Sequence, residues 1–144
     1  MSPVPPNIHY ISGFFDGEGC VTVAFVRSKG GVNLSPKIRL TVAQKTPEVI
    51  RIFKRYWGFG SVYENTKGIW RWEIGGSNQC YRVLNDMLPQ LIVKQEVAKV
   101  AINLLTRVID GTGRAARYGT IMEDEMKIRM ALVDRIHQLN ERRK

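Results

Sequence analysis

The feature that most constrains the fold of this chain is the nine-residue segment I-S-G-F-F-D-G-E-G, residues 11–19. It predicts the second half of an apolar helix that begins after Asn7, a residue favoured at the N-cap position. Gly13 and Gly17 are four residues apart, so they share one helix face and let another backbone approach closely. The apolar residues of this helix are not confined to one stripe. The pattern therefore predicts that the helix packs against something beyond its own fold.

Two carboxylates, Asp16 and Glu18, stand at the end of this predicted helix. The C-terminal end of a helix carries partial negative charge, so an acid there is unfavourable by roughly 0.3–1 kcal/mol. A bound cation would reverse that sign. The segment therefore suggests a metal site at the place where two such helices meet.

The same segment resembles the LAGLIDADG motif of homing endonucleases. Two sets of residues carry the resemblance: the motif's glycines and acids are matched by Gly13, Asp16, Gly17, Glu18 and Gly19, and its leading Leu-Ala is replaced conservatively by Ile11 and Ser12. Glu18 stands at the second acidic position, where the family allows either acid. The resemblance implies that each helix packs against a second copy and that Glu18 binds the catalytic divalent ion.

Positive charge is concentrated in the segment that follows the motif. The net charge is +9; residues 20–71 hold ten Lys or Arg against two Glu, whereas residues 110–144 hold eight bases against six acids. Concentrated positive charge on one part of a fold is the electrostatic footprint of a polyanion partner. The charge distribution therefore predicts a polyanion partner.

Cysteine content and hydropathy narrow the class of protein. Cys20 and Cys80 give no disulfide framework and no C-x-x-C motif, so we interpret them as reduced thiols packed as small hydrophobes. The N-terminus lacks the layout of a signal peptide, and no apolar run reaches 18 residues. These features predict an intracellular soluble protein that is not secreted and has no membrane partner.

Alternating apolar and polar residues predict two hairpins separated by a helix. Residues 21–27 read as a strand and residues 28–31 as a turn, and a second strand reaches Gln44. That second strand has two alternating faces, a wet one with Lys37, Arg39, Thr41 and Ala43 and a buried one with Ile38, Leu40 and Val42. A helix follows, with Thr46 as N-cap and Pro47 at its first position, and it ends at Gly58.

The second hairpin pairs residues 61–66 with residues 69–74 across Lys67-Gly68. Trp70 and Trp72 share a side with Ile74, so we assign them to the core rather than to base stacking. Further helices are predicted at 77–88, at 91–109 and at about 122–140, with a basic loop over 110–119. The core side of the 91–109 helix is expected to carry Val93, Val97, Val100, Leu104 and Val108.

The order of elements, αββαββα followed by extra helices, predicts an α+β fold. Its four-stranded antiparallel sheet would be backed by helices and would leave one face free for a ligand. In single-motif members of the family that the segment resembles, the same order builds a saddle that sits on DNA. We expect one domain over residues 1–144, with a core of about 7–109 and a C-terminal helical extension of about 110–144.

The resemblance implies a catalytic centre of three residues, Glu18, Gln44 and Lys94. Glu18, with the Gly17 carbonyl nearby, is the expected ligand of Mg²⁺ or another hard divalent cation such as Mn²⁺, with Ca²⁺ in a non-cleaving complex. Gln44 matches a position that orients solvent near the scissile phosphate, and Lys94 matches a base that approaches the phosphate from the start of a helix. Lys45 is the less favoured neighbour, and Asp16 is expected to orient backbone and a helix end. The alternative for each is an ordinary solvated residue.

Side chains on the free sheet face are expected to read DNA in the major groove, which admits a two-stranded ribbon. Eleven residues form this set: Thr22, Ala24, Val26, Ser28, Lys37, Arg39, Thr41, Tyr63, Asn65, Arg71 and Glu73. Arg39 and Arg71 could each make bidentate contacts to guanine. The alternative is that the set only neutralises phosphates or solvates an ordinary sheet.

One motif supplies half of an active centre, so the sequence predicts a homodimer with an interface at Ile11, Gly13, Phe14 and Gly17. A two-fold protein matches a near-palindromic double-stranded DNA target. The resemblance implies an intron-encoded homing endonuclease, a metal-dependent phosphodiester hydrolase that makes a staggered double-strand break in a long, specific site. Two alternatives stay open: a non-catalytic maturase that binds intron RNA, and a DNA-binding regulator that keeps the fold without the chemistry.

Overall fold

The computed structural model describes residues 7–27, 34–114 and 121–141. Along these residues the elements are α1 (Ile8–Glu18), β1 (Gly19–Arg27), β2 (Leu34–Gln44), α2 (Pro47–Trp57), β3 (Ser61–Glu64), β4 (Trp70–Ile74), α3 (Ser77–Met87), a 3₁₀ turn (Leu88–Gln90), α4 (Gln95–Asp110) and α5 (Glu123–Glu141). The predicted turn at 28–31 and most of the predicted loop at 110–119 lie outside the described residues.

The four strands form one antiparallel sheet in the order β1-β2-β4-β3. On one face of the sheet the side chains of Leu40, Val42 and Trp72 are fully buried beneath the helices. The alternation of β2 is as predicted, because Ile38 is buried whereas Lys37 is exposed. The predicted α+β fold, a four-stranded antiparallel sheet backed by helices, is therefore confirmed.

The helix ends follow the local signals in the sequence. Asn7 caps α1, because its Oδ1 accepts hydrogen bonds from the backbone N–H of His9 at 2.8 Å and of Tyr10 at 3.4 Å. Gly58 ends α2 in the left-handed conformation at φ 80°, which other residues rarely adopt. These caps fix where α1 delivers its last turn.

The second hairpin is shorter than predicted, because its connection spans residues 65–69 rather than Lys67-Gly68 alone. Asn65 builds this turn: its Oδ1 accepts from the backbone N–H of Lys67 at 2.9 Å and of Ile69 at 3.0 Å. Because the Asn65 side chain, rather than the opposite strand, accepts these N–H groups, the ladder of backbone hydrogen bonds between β3 and β4 ends early.

The C-terminal helix is fastened to both α4 and β1. Glu125, which is almost fully buried, accepts hydrogen bonds from Arg107 at 2.6 and 2.7 Å and from Arg129 at 3.2 Å. At the other end of α5, the Nδ2 of Asn140 donates to the carbonyl of Val21 at 2.9 Å. Since β1 is an edge strand, this bond satisfies a carbonyl that lacks a strand partner on that side.

The two cysteines differ. Cys80 is buried, and burial raises the pKa of its thiol to about 12, as expected for a small hydrophobe. The same interpretation is wrong for Cys20, which is exposed because it stands on the outer face of β1.

Among the described helices none has both the length and the hydropathy that crossing a lipid bilayer would require.

Candidate active site

The C-terminal end of α1 and the turn before α4 hold each other in place through Asp16 and Lys94. The Asp16 carboxylate accepts three backbone N–H groups, from Ile92 at 3.1 Å, Val93 at 3.0 Å and Lys94 at 2.8 Å. In return, the Lys94 ammonium donates to the Asp16 carbonyl at 2.6 Å. A cation thus meets the negative end of one helix, and an anion meets the positive end of the other. The prediction that Asp16 orients backbone is confirmed.

This interlock, the set of hydrogen bonds that Asp16 and Lys94 make between the end of α1 and the turn before α4, explains why α4 begins at Gln95 and not at residue 91. The three N–H groups that bind Asp16 belong to a non-helical turn before α4, which places Val93 at the surface with 58% of its area exposed. The assignment of Val93 to the core side was therefore wrong. Val97 and Leu104 of the same helix are buried as predicted, and Val100 and Val108 pack partly buried against the core.

The Asp16 carboxyl has a lowered pKa. Partial burial alone would raise it, but the three backbone donors together with the charge of Lys94 outweigh that effect. A carboxyl whose pKa is lower in the folded state stabilises the fold above its unfolded pKa. That contribution is lost as the pH falls toward the folded value.

Replacing Asp16 by Ala is expected to lower the free energy of unfolding by about 2 kcal/mol at neutral pH, because a charged cap and its hydrogen bonds are lost. Urea denaturation of both proteins measures this difference. The difference should hold down to about pH 4, near the unfolded pKa of an aspartate, and shrink below it. Asp134→Ala, which removes an exposed carboxylate of α5, is the control and should change stability little. Equal stabilities of the wild type and Asp16→Ala would contradict the capping role.

Lys94 also lines an open cavity of about 660 Å³ beside the interlock. The end of α1 contributes Gly17 to this cavity, the start of β1 contributes Thr22, and α5 contributes Asn140. Lys94 itself is 6% exposed. Glu18 is exposed, and β1 begins at the next residue, so its carboxylate stands where the motif helix turns into the sheet.

Gln44 lies apart from this cavity. It shares its side of β2 with the buried Val42 and pairs with Trp70, and its Oε1 accepts from the backbone N–H of Lys45 at 3.0 Å. The described residues that line the cavity include neither Gln44 nor Glu18. The catalytic roles of Glu18, Gln44 and Lys94 stay predictions.

The outer face of the sheet gathers the side chains that were predicted to read DNA. Cross-strand pairing aligns Thr22 with Arg39, Ala24 with Lys37, Thr41 with Glu73, and Tyr63 with Arg71, while Val26 lies in the same outward series of β1. Ser28 lies outside the described residues, and Asn65 builds the hairpin turn with its side-chain Oδ1, which accepts from the backbone N–H of Lys67. Whether any of them touches DNA stays a prediction.

Sequence reasoning missed three residues beside this site. Cys20 and Ser61 complete the cross-strand row that contains Thr41 and Glu73, and extending the strand alternation by one place would have found both. Asn140 reaches the cavity from a part of the chain 119 residues away from Val21, and no local pattern signals that approach.

One face of α1 is left uncovered. Gly13 and Gly17 are exposed, and among the residues that the structure describes, the backbone of α1 itself excepted, no heavy atom lies within 4 Å of the position that a Cβ would take on either. Tyr10 on the same face is 50% exposed, and Phe14 beside it is partly buried. Ile11 points the other way and is fully buried in the core of its own chain, so its assignment to a dimer interface was wrong.

The described residues contain no cluster of three or more His, Cys, Asp or Glu side chains that could hold a metal by itself. Mg²⁺ usually keeps several waters and binds one or two carboxylates together with substrate phosphates. Glu18 is an exposed carboxylate, and the carbonyl of the preceding residue, Gly17, is a second oxygen donor of the kind that Mg²⁺ accepts. The residues present therefore fit a divalent ion whose coordination is completed by water and phosphate.

A sheet with cationic side chains on its open face is typical of a protein that binds nucleic acid. Residues 11–96 match the family model described as LAGLIDADG endonuclease. The chain belongs to this single-motif family.

Known relatives agree with this assignment. The DNA endonuclease I-CvuI of Chlorella vulgaris is 24% identical over 113 residues, which span 72% of this chain and 70% of that protein. The crystal structure of I-CvuI in complex with its target in the presence of calcium superposes with a TM-score of 0.76 at 19% identity, over 92% of this chain and 80% of that one. The archaeal intron-encoded homing endonuclease I-Vdi141I, complexed with DNA, gives a TM-score of 0.77 at 17% identity, over 92% and 82%.

Proposed function

We propose that this protein is a homing endonuclease that binds a long, near-palindromic double-stranded DNA site as a homodimer. It hydrolyses one phosphodiester bond in each strand and leaves a staggered break. One observation carries the proposal. Strand β1, whose alternate residues lie on the outer face of the sheet, begins at the residue directly after Glu18. A duplex that lies along the sheet would therefore pass the carboxylate at the end of the motif helix.

The chemistry requires a positioned water and neutralisation of the charge that develops on the phosphate. Glu18 and the Gly17 carbonyl would hold the divalent ion, Mg²⁺ being the expected species. When bound, such an ion lowers the pKa of water and polarises the phosphoryl group. Lys94 supplies a second positive charge from the wall of the cavity. Gln44 orients solvent from the end of β2.

The homodimer would form through the uncovered face of α1. Gly13 and Gly17 offer no side chain on that face, so two such helices can cross at close backbone distance. Tyr10 and Phe14 flank the glycines with apolar area that association would remove from water. The two Glu18 residues would then lie on either side of the two-fold axis, one for each strand.

The test is cleavage of a randomised DNA library by the purified protein with Mg²⁺, with parallel reactions in Ca²⁺ and in EDTA. We expect a long, near-symmetric site to be enriched among the cut molecules and both strands to be cut with a stagger, in Mg²⁺ alone. A library that stays intact in Mg²⁺ would overturn the proposal. Retained affinity for intron RNA in that case would favour the maturase.

A further inference from the structure

Arg39, on the outer sheet face, has neighbours on both sides of its strand. Its Nε lies 3.9 Å from an Oε1 of Glu73 on β4. The same Nε lies 3.9 Å from the position that a Cβ would take on Gly75, the residue that follows β4, so the Arg39 side chain passes a position that has no side chain. From the adjacent strand β1, the Thr22 hydroxyl donates to the backbone carbonyl of Arg39 at 3.3 Å. The Arg39 side chain thus lies beside an acid of β4, and its backbone carbonyl accepts a hydrogen bond from β1.

Glu73 is an unexpected residue on this face. Among the described strand residues of the outer face it is the only acid, in the company of Lys37, Arg39 and Arg71. A carboxylate that faces a duplex is repelled by the phosphates, so by itself it weakens DNA binding. An acid at this position can contribute to recognition when it orients a neighbouring basic side chain.

We propose that Glu73 is a specificity-determining positioning residue for Arg39. With Nε beside Glu73, the two terminal amino groups of the guanidinium would be left as the fork that reads O6 and N7 of guanine. The pair would thus fix one guanine in each half-site of the target. This inference rests on the proposed function, since it requires a duplex on the sheet.

The magnitude of the pair depends on the duplex. In the free protein the side chains of Arg39 and Glu73 are 47% and 30% exposed, and an ion pair in water contributes little to stability. A bound duplex excludes water from the face, and the same pair becomes stronger in the lower effective dielectric. Glu73 is therefore expected to affect which site is cut far more than the stability of the free protein.

The experiment compares cleavage of a set of targets, each carrying one base-pair change, by the wild type, Arg39→Met, Glu73→Gln and the double variant. We expect Arg39→Met to lose roughly tenfold or more discrimination at one base pair of each half-site. Glu73→Gln should lose a smaller factor, about threefold to tenfold, at that same base pair. The double variant should be no worse than Arg39→Met, because the two residues act as one unit. Effects at different base pairs, or effects that multiply, would overturn the inference.

Two further variants separate the causes. Glu64→Gln removes the same charge from the same hairpin, but Glu64 pairs with Trp70 on the alternate side of the strand, so base preference should stay that of the wild type. Gly75→Leu fills the space beneath the guanidinium and should relax discrimination at the base pair read by Arg39. If the wild type cuts a defined site and Glu73→Gln has the same profile, only this inference fails. If the wild type cuts nothing, the proposed function fails with it.

Discussion

Replacing Glu18 by Gln is expected to reduce the rate of DNA cleavage by roughly 10³-fold or more, while DNA affinity stays largely unchanged. The amide keeps the size of the side chain but removes the negative charge that a hard cation requires, and the stabilisation of transition-state charge is lost with the metal. Single-turnover cleavage in Mg²⁺ measures the first effect. Binding to an uncut target in Ca²⁺ measures the second.

The stability of the same variant provides an internal check. Glu18 is exposed at the C-terminal end of α1, where its charge opposes the helix dipole. Its removal should therefore leave the free energy of unfolding unchanged or raise it by roughly 0.3–1 kcal/mol. Glu123→Gln, an exposed acid at the start of α5, is the matched control and should cleave like the wild type. Cleavage by Glu18→Gln at the wild-type rate would remove Glu18 from the catalytic centre.

Gly13→Leu is expected to abolish both dimerisation and double-strand cleavage without unfolding the single chain. Apart from the backbone of α1 itself, no heavy atom of the described residues lies within 4 Å of the new Cβ, so no described side chain packed on this face resists the leucine. Leucine is also a better helix former than glycine, by up to about 1 kcal/mol. A branched side chain between two crossing helices, in contrast, holds their backbones apart. Analytical ultracentrifugation and thermal unfolding at several protein concentrations measure the two effects.

Ala131→Leu is the control for added apolar bulk, because Ala131 is exposed on α5, away from α1. It should sediment and cleave as the wild type does. A Gly13→Leu protein that sediments as a dimer would show that the α1 face is not the interface. A monomeric Gly13→Leu protein that still cuts both strands of one site would overturn the requirement for two copies.

Much of the fold was legible in local sequence signals. The cap at Asn7, the strict alternation along β2 and the glycine stop at Gly58 act over a few residues, so each could be placed without tertiary information. Once these elements are placed, their order allows few arrangements other than one antiparallel sheet with helices on one side.

The candidate site could be predicted less well from the sequence, because long-range hydrogen bonds determine where its elements begin. The start of α4 is set by Asp16, a carboxylate 76 to 78 residues away, which overrides the helical periodicity of residues 91–94. Whether Ile11 faces the core or a partner also could not be read from a helix that is apolar nearly all round. The family resemblance identified Gln44 by its position in the chain. The strand alternation places Gln44 on the same side of β2 as the buried Val42.

The mutual capping of Asp16 and Lys94 has a consequence for protein engineering. The interlock involves the end of α1 and the turn before α4, and none of its members is an outward-facing residue of the sheet. Libraries that randomise the outer face can therefore seek new target sites while the candidate catalytic centre keeps its scaffold. A chimera that borrows α1 from one relative and α4 from another must instead transfer both halves of this joint together.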